Sequence, residues 1–296
     1  MGFKHQLLGW ERSSFDTYTE VFQEYGGSIN TSPEMVEFFM RRHALKFRFW
    51  HYQQEEGIIA AYFLAEDKTM GLNVWRDYPL SFDEIIIPVS PQKKVWLPDS
   101  TNRLSSVLKA NVVNASFALR RKRKICHIKD NFSAKTIKKR KGELKKFLSM
   151  GGECHSLTDL SAREIAELYV RLFKLRFADT IRCYDVDKLT ILLSEVNHMV
   201  YGNVLFFNNT PCSIDLMLGA ESKRNLYFDV PNGGIDPKFS YLSPGSLVMW
   251  ANICVARSLS QQREKKMTFS IGSYEKNWDY KLRWADTYRT GKVLTL

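Results

Sequence analysis

Several familiar groupings are missing from these 296 residues. The five cysteines, Cys126, Cys154, Cys183, Cys212 and Cys254, are odd in number, widely spread and free of any C-x-x-C pair. That spacing suggests neither a disulfide framework nor a thiolate zinc site, and it fits a reducing cytoplasm. The histidines (His5, His43, His51, His127, His155 and His198) make no H-x-x-x-H pair and no cluster with acids, so no metal is expected. No apolar run exceeds Ile58–Ala65, which is too short to cross a bilayer. The opening MGFKHQLLGWERSS has no long apolar core or small-residue cleavage site, so no signal peptide is expected. Helix-turn-helix, zinc-finger and ribonucleoprotein signatures are absent as well, which argues against sequence-specific reading of nucleic acid.

Acids are the scarcer charge. Lys and Arg number 43 against 32 Asp and Glu, for a formal net charge of +11. Such a balance favours polyanions: tRNA, DNA, a phosphorylated cofactor or an anionic membrane surface. With 44% hydrophobic residues, the chain can bury a core in each of two ordinary domains.

Ser32-Pro33-Glu34 reads as a helix start, with the helix running to about Ala44. Residues 47–52, 57–65, 70–75 and 85–89 read as strands, and about 101–119 as a helix closing the first half. The run Arg120-Arg121-Lys122-Arg123-Lys124 precedes a short strand at 125–128. A basic helix follows from Ser133 to Met150, with Ile137, Leu144, Phe147 and Leu148 on its apolar side and Gly151-Gly152 ending it. Ser161 and Glu164 form a capping box for a helix to about Phe177, and another helix spans Val186 to Met199. Three strands at 203–208, 212–220 and 225–231 read as an antiparallel meander. Ser243-Pro244-Gly245 starts a helix to about Ser260, and a strand at 266–271 precedes a Tyr/Trp-rich tail.

From about Ile125 onward, this order resembles the second lobe of FemABX-like acyltransferases and their relatives in the N-acetyltransferase (GNAT) superfamily. Four segments carry the likeness: the basic helix from Ser133 to Gly151, the hairpin Asn208-Asn209-Thr210-Pro211 leading into Cys212–Gly219, Gly234-Ile235-Asp236-Pro237 with Ser243-Pro244-Gly245, and Tyr280-Lys281-Leu282-Arg283-Trp284. The resemblance implies a tandem GNAT-like, FemABX-type α/β fold of two mixed-sheet halves, residues 1–124 and 125–296. The whole chain is also similar to the enterobacterial macrophage-inducible virulence proteins, the mig family, associated with resistance to cationic antimicrobial peptides. Members of that family are described both as inner-membrane-associated resistance factors and as transcriptional regulators. This likeness implies a cytoplasmic protein held peripherally at the inner membrane, with antimicrobial peptides among its candidate partners. Two departures stand out. Thr268 occupies a position where many superfamily members carry an acid, and no Q/R-x-x-G-x-G/A loop precedes Ser246. Both weaken the case for acyl-CoA as donor, and aminoacyl-tRNA suits the basic surface better; the alternatives to an acyltransferase are a nucleic-acid-binding regulator and a non-catalytic descendant that acts by binding.

Acyl transfer to an amine needs an anion cradle, charge stabilisation and a proton acceptor. The candidate cradle is Ser243, Pro244, Gly245 and Ser246, where a helix start attracts phosphate; the bland reading is an ordinary Ser-Pro helix start. Lys281 and Tyr280 are candidates for binding donor phosphate and stabilising charge, against a surface lysine and a satisfied core ring. Asp215 and Asp229 interrupt apolar strands and are candidate bases, although period-two alternation favours turning both outward. Arg120, Arg121, Lys122, Arg123, Lys124, Lys135, Lys138, Lys139, Arg140, Lys145 and Lys146 are the candidate polyanion surface, where the bland reading is a solvated face.

Overall fold

A computed structural model describes residues 3–118 and 123–295. Its architecture is mixed α/β, with one four-stranded sheet before residue 124 and one larger mixed sheet after it. The first sheet is antiparallel, in the order Trp10–Ser13, Phe47–Gln54, Gly57–Ala65, Thr69–Met70. The second runs Ala285–Arg289, Lys124–Ile128, Lys266–Tyr274, Asn225–Asp229, Thr210–Glu221, Val200–Phe207, Gly152–Ser156, with Gly233–Ile235 paired separately to Thr210–Glu221.

Local chemistry explains most boundaries. Pro33 sits in the first turn of Pro33–His43, and Ala44 ends that helix in a left-handed conformation. Ser161 and Glu164 cap Ala162–Phe177 reciprocally, as their spacing predicts. Asn208 and Asn209 both take positive φ, 48° and 60°, the two-residue turn that matches the twist of the strands it joins. Ser133 caps Ala134–Ser149 through the Thr136 amide, and Phe147 is that helix's buried anchor.

Other expectations need correction. The helix expected over 101–119 does not form over the described residues 101–118: the segment is irregular, with a 3-10 turn at Ser106–Leu108 and a short strand at Ala115–Ser116. Residues 85–89 make only isolated bridges, and the strand expected over 70–75 shrinks to Thr69–Met70. In both segments backbone groups pair with loops instead: Ile85 donates to Arg103 O and Leu72 to Asn30 O. Leu148 is exposed, not part of the apolar side. The helix Phe15–Tyr25 was not anticipated, yet it supplies Tyr18, Val21 and Phe22 to the core.

One apolar cluster runs through both halves. It joins Tyr18, Phe22, Phe39 and Phe63 to Tyr169, Phe173, Leu192, Leu216 and Leu218. A polar knot lies against it. Glu84 Oε1 accepts from His127 Nε2 at 2.7 Å and from the Tyr227 hydroxyl at 2.9 Å. Glu84 is buried and would be driven neutral by burial alone, but His127 and the surrounding hydrogen bonds hold its pKa below the usual value. For His127, burial opposes the charge and Glu84 outweighs it, so its pKa is raised. The knot pins the first half to the inner face of the second sheet.

Candidate active site

The strands Asn225–Asp229 and Lys266–Tyr274 are parallel neighbours, connected through the helix Pro244–Gln262. Their pairing ends where Val230 donates to Ser270 O at 3.1 Å. Beyond that point the chain leaves the sheet through Pro231 and Asn232, and Gly233–Ile235 rejoins it opposite Ser213–Asp215. A cavity of about 400 Å³ opens where the strands part, at their carboxyl ends and beside the start of the crossover helix. Parallel sheets characteristically bind ligands at such a place.

This cavity gathers most of the candidate site. Asp215, Ser243, Pro244, Gly245, Ser246, Tyr280 and Lys281 all line it, together with Arg176. Asp229 does not. Both aspartates are buried rather than turned outward, which corrects the alternation argument. Strand Thr210–Glu221 is covered on both faces, so alternation there does not separate core from solvent.

Asp215 is held by a buried amide chain. Asn252 Nδ2 donates to Asp215 Oδ2 at 3.2 Å, and Asn203 Nδ2 donates to Asn252 Oδ1 at 2.7 Å. Burial raises the Asp215 pKa to about 6, with Arg176 and Asn252 pulling the other way. Gly233 is its register partner, and a Cβ there would lie 2.0 Å from Asp215 Oδ1. Only glycine leaves that carboxylate its place. Arg176 approaches from Ala162–Phe177 and donates to Gly233 O at 2.7 Å.

Lys281 is buried. Its ammonium donates to Ile271 O at 2.7 Å and Ser273 O at 2.8 Å, and lies over the Trp278 ring at 4.7 Å. Those carbonyls flank Gly272, whose φ of +77° accompanies the register shift between Ser270 and Ser273. Lys281 therefore staples a bulge and has one proton left for the cavity. Burial lowers its pKa. Tyr280 is half exposed.

The helix start offers fewer donors than its sequence suggests. Ser243 is left-handed with no side-chain cap, Pro244 has no N–H, and the Ser246 and Leu247 amides donate to Ser243 O. That leaves the Gly245 amide and the helix dipole.

A second cavity of about 680 Å³ adjoins the first through Arg176, Pro231, Asn232, Tyr280 and Lys281. The cavity holding Ser243–Ser246 is lined by the second half alone, whereas this neighbour reaches the first half through Trp75, Arg76 and Asp83. Asp83 Oδ2 accepts from the Ser273 amide at 2.9 Å. Asp229 lies behind the cavities. Burial first, then Asp83, pushes its pKa to about 8, and its Oδ1 has no hydrogen-bond partner among the described residues.

Of the basic surface, Arg120, Arg121 and Lys122 lie outside the described residues. Lys135, Lys138, Lys139, Lys145 and Lys146 are exposed. Arg140 turns inward, stacked on Trp284 at 4.6 Å and paired with Glu143 at 2.8 Å. Arg123 and Lys124 are half-buried, with Lys124 over Tyr274. No group of His, Cys, Asp and Glu suited to a metal occurs among the described residues, and none of their helices is long and apolar enough to cross a membrane.

Sequence reasoning missed Arg176, Asn252, Asn203 and Gly233. Asn252 carried a usable signal, a lone amide inside the apolar stretch from Leu247 to Val255. Arg176 and Gly233 become visible only once strands 213–215 and 233–235 are paired, and Asn203 once Val200–Phe207 lies beside Thr210–Glu221.

Parting parallel strands, a crossover helix aimed at the gap and a preceding α/β half with its own antiparallel sheet define a GNAT-type acyltransferase-like scaffold. The chain belongs to the Mig-14 family, whose family model matches residues 32–293. Among solved structures, the crystal structure of FemX is similar at a TM-score of 0.60 with 8% identity, covering 96% of this chain and 97% of that one. A tandem GNAT protein from the clavulanic acid biosynthesis pathway aligns at 0.43 and 8% identity, covering 96% and 95%. L-PGS from Bacillus licheniformis aligns at 0.47 and 9% identity, covering 96% and 93%. At these identities the likeness concerns fold, and the FemX match carries it. No curated protein matches the chain by sequence.

Proposed function

We propose that the chain transfers an acyl group to an amine in the cavity beside Ser243–Ser246, with Asp215 as the base. The observation that carries this reading is a buried carboxylate poised near pH 6, fixed by Asn252 and Gly233, facing the start of a helix. At neutral pH Asp215 is mostly ionised and accepts the proton the amine loses as its nitrogen bonds to the acyl carbon. The bond from that carbon to the donor's sulfur or ribose oxygen breaks, and Tyr280 is the candidate source of the leaving atom's proton. Lys281 and the Gly245 amide favour an anionic donor. One free amide is a thin cradle for a pyrophosphate. Arg76, Arg176 and Arg182 next door, with Trp75 and Trp278, suit aminoacyl-tRNA better than acyl-CoA.

Membership in the Mig-14 family, together with the exposed lysines of Ala134–Ser149, supports a role in resistance to cationic antimicrobial peptides from the cytoplasmic surface of the inner membrane. The test is mass spectrometry of lipid amines and antimicrobial peptides from cells with the protein, without it and with Asp215→Asn. An acyl adduct that needs the protein and falls about 10²- to 10⁴-fold in Asp215→Asn supports the reading. No adduct, with resistance intact in Asp215→Asn, turns it to a scaffold that acts by binding.

A further inference from the structure

The candidate active site lies in the second half, but one of its supports comes from the first. Residues 81–84 form a loop that meets the second sheet. Asn30 Nδ2 grips this loop at both ends, donating to Ser81 O at 2.9 Å and to Glu84 O at 2.8 Å. Arg103 donates to Phe82 O between them. The Glu84 side chain is fixed in turn by His127 and Tyr227. Asp83 sits inside this clamp, so its backbone has little freedom to move.

The Asp83 carboxylate reaches the bulge in Lys266–Tyr274. Its Oδ2 accepts from the Ser273 amide at 2.9 Å, and Ser273 O accepts from Lys281 Nζ at 2.8 Å. Asp83 and Lys281 thus hold the two polar ends of one residue. A Cβ built on Gly272 would lie 3.2 Å from Asp83 Oδ2 and 3.6 Å from Lys281 Nζ, so both side chains close on the bulge at its glycine. Ile271 and Gly272 fall inside the register shift against Lys124–Ile128, so the ladder alone does not fix the carbonyls that hold the ammonium.

We propose that Asp83 is a positioning residue for Lys281. Through the Ser273 amide it sets the bulge whose carbonyls aim the ammonium at the cavity, and the first half thereby completes the site. Only the effect on activity rests on the acyl-transfer reading; the placement of the ammonium does not.

NMR of the Lys281 ammonium in the full chain, labelled with ¹⁵N at lysine, tests this. A buried ammonium held by two carbonyls exchanges its protons slowly, and loss of its signal in Lys281→Gln assigns it. In Asp83→Ala that exchange should speed up by about tenfold or more, whereas Asp83→Asn, which still offers the Ser273 amide an oxygen, should keep the slow signal. The acyl adduct should fall about 10²-fold in Asp83→Ala and stay within about threefold of wild type in Asp83→Asn. Asp83→Ser, too short to reach the Ser273 amide, replaces the alanine variant if its melting temperature shows that it does not fold. An unchanged ammonium signal in the short-chain variant overturns the proposal. So does an Asp83→Asn variant as defective as that one, because the negative charge and not the bond to Ser273 would then be what matters. If wild type forms no adduct, acyl transfer fails while the ammonium signal still decides the role of Asp83.

Discussion

Two buried carboxylates, Glu84 packed against the second sheet and Asp229 within it, are handled in opposite ways. At the interface between the halves, Glu84 is charged because His127 and Tyr227 meet it. Asp229, which does not line the cavity beside the helix start, has the Ser270 hydroxyl and the negative Asp83 near it instead of a histidine, and its pKa rises to about 8. Asp215 stands between them, at about 6. Burial is common to all three, so the partners decide the charge state. An acid met by a histidine and a tyrosine serves as a staple, while an acid with one amide partner and an open cavity is left able to exchange its proton near neutrality.

The largest break in this comparison should come from Glu84→Ala. It strands His127 and the Tyr227 hydroxyl in the interior, and removing one partner of a buried pair costs about 3–5 kcal/mol. Chemical denaturation would measure it. The sign of its pH dependence follows from the two shifts. His127 is raised, so its contribution is complete below its unfolded value and fades as pH rises through the folded one. Glu84 is lowered, so its contribution fades as pH falls through its folded value. The cost of Glu84→Ala should therefore peak between those limits and shrink on both sides.

Gly233→Ala comes next. Its Cβ would collide with Asp215 Oδ1, and overpacking of this kind costs about 1–3 kcal/mol. Calorimetry should show the loss. The displaced carboxylate should lose the bond from Asn252, so activity should fall further than stability alone explains.

Asp229→Asn is the one change of opposite sign: it should be stabilising. The unfolded carboxyl ionises near pH 4, whereas the folded one stays protonated to about 8. Between those values the unfolded state gains ionisation that the folded state lacks, so wild-type stability declines as pH rises. Asparagine removes that decline. Melting temperatures of the two proteins should agree at pH 4, and the variant should melt increasingly higher than wild type as pH rises to 8.

The second half was far more legible in the sequence than the first, for a physical reason. Its helices carry their own boundaries in Ser161 with Glu164, Ser133 with Thr136, and Pro244, while its hairpin carries Asn208-Asn209. These are local interactions, written in adjacent residues. Residues 72–118 are held by non-local bonds instead, such as the Asn111 side chain to Ser90, Pro91 and Lys93 O and the Asn114 side chain to Leu97 and Leu294 O. Nothing in their local pattern announces a loop wall. The site divides the same way. Ser243–Ser246 and Lys281 stood out by composition, but the glycine that makes room for Asp215 is its partner across a strand pairing, eighteen residues further along the chain.

The central claim, that Asp215 is a proton acceptor tuned by its surroundings, is tested most directly by carboxyl-carbon NMR with ¹³C-labelled aspartate. Wild type should show one buried aspartate titrating near pH 6, lost in Asp215→Asn, and a second near pH 8, lost in Asp229→Asn. If the signal lost in Asp215→Asn titrates with the ordinary surface aspartates near pH 4, Asp215 is not tuned and the account of the site is wrong.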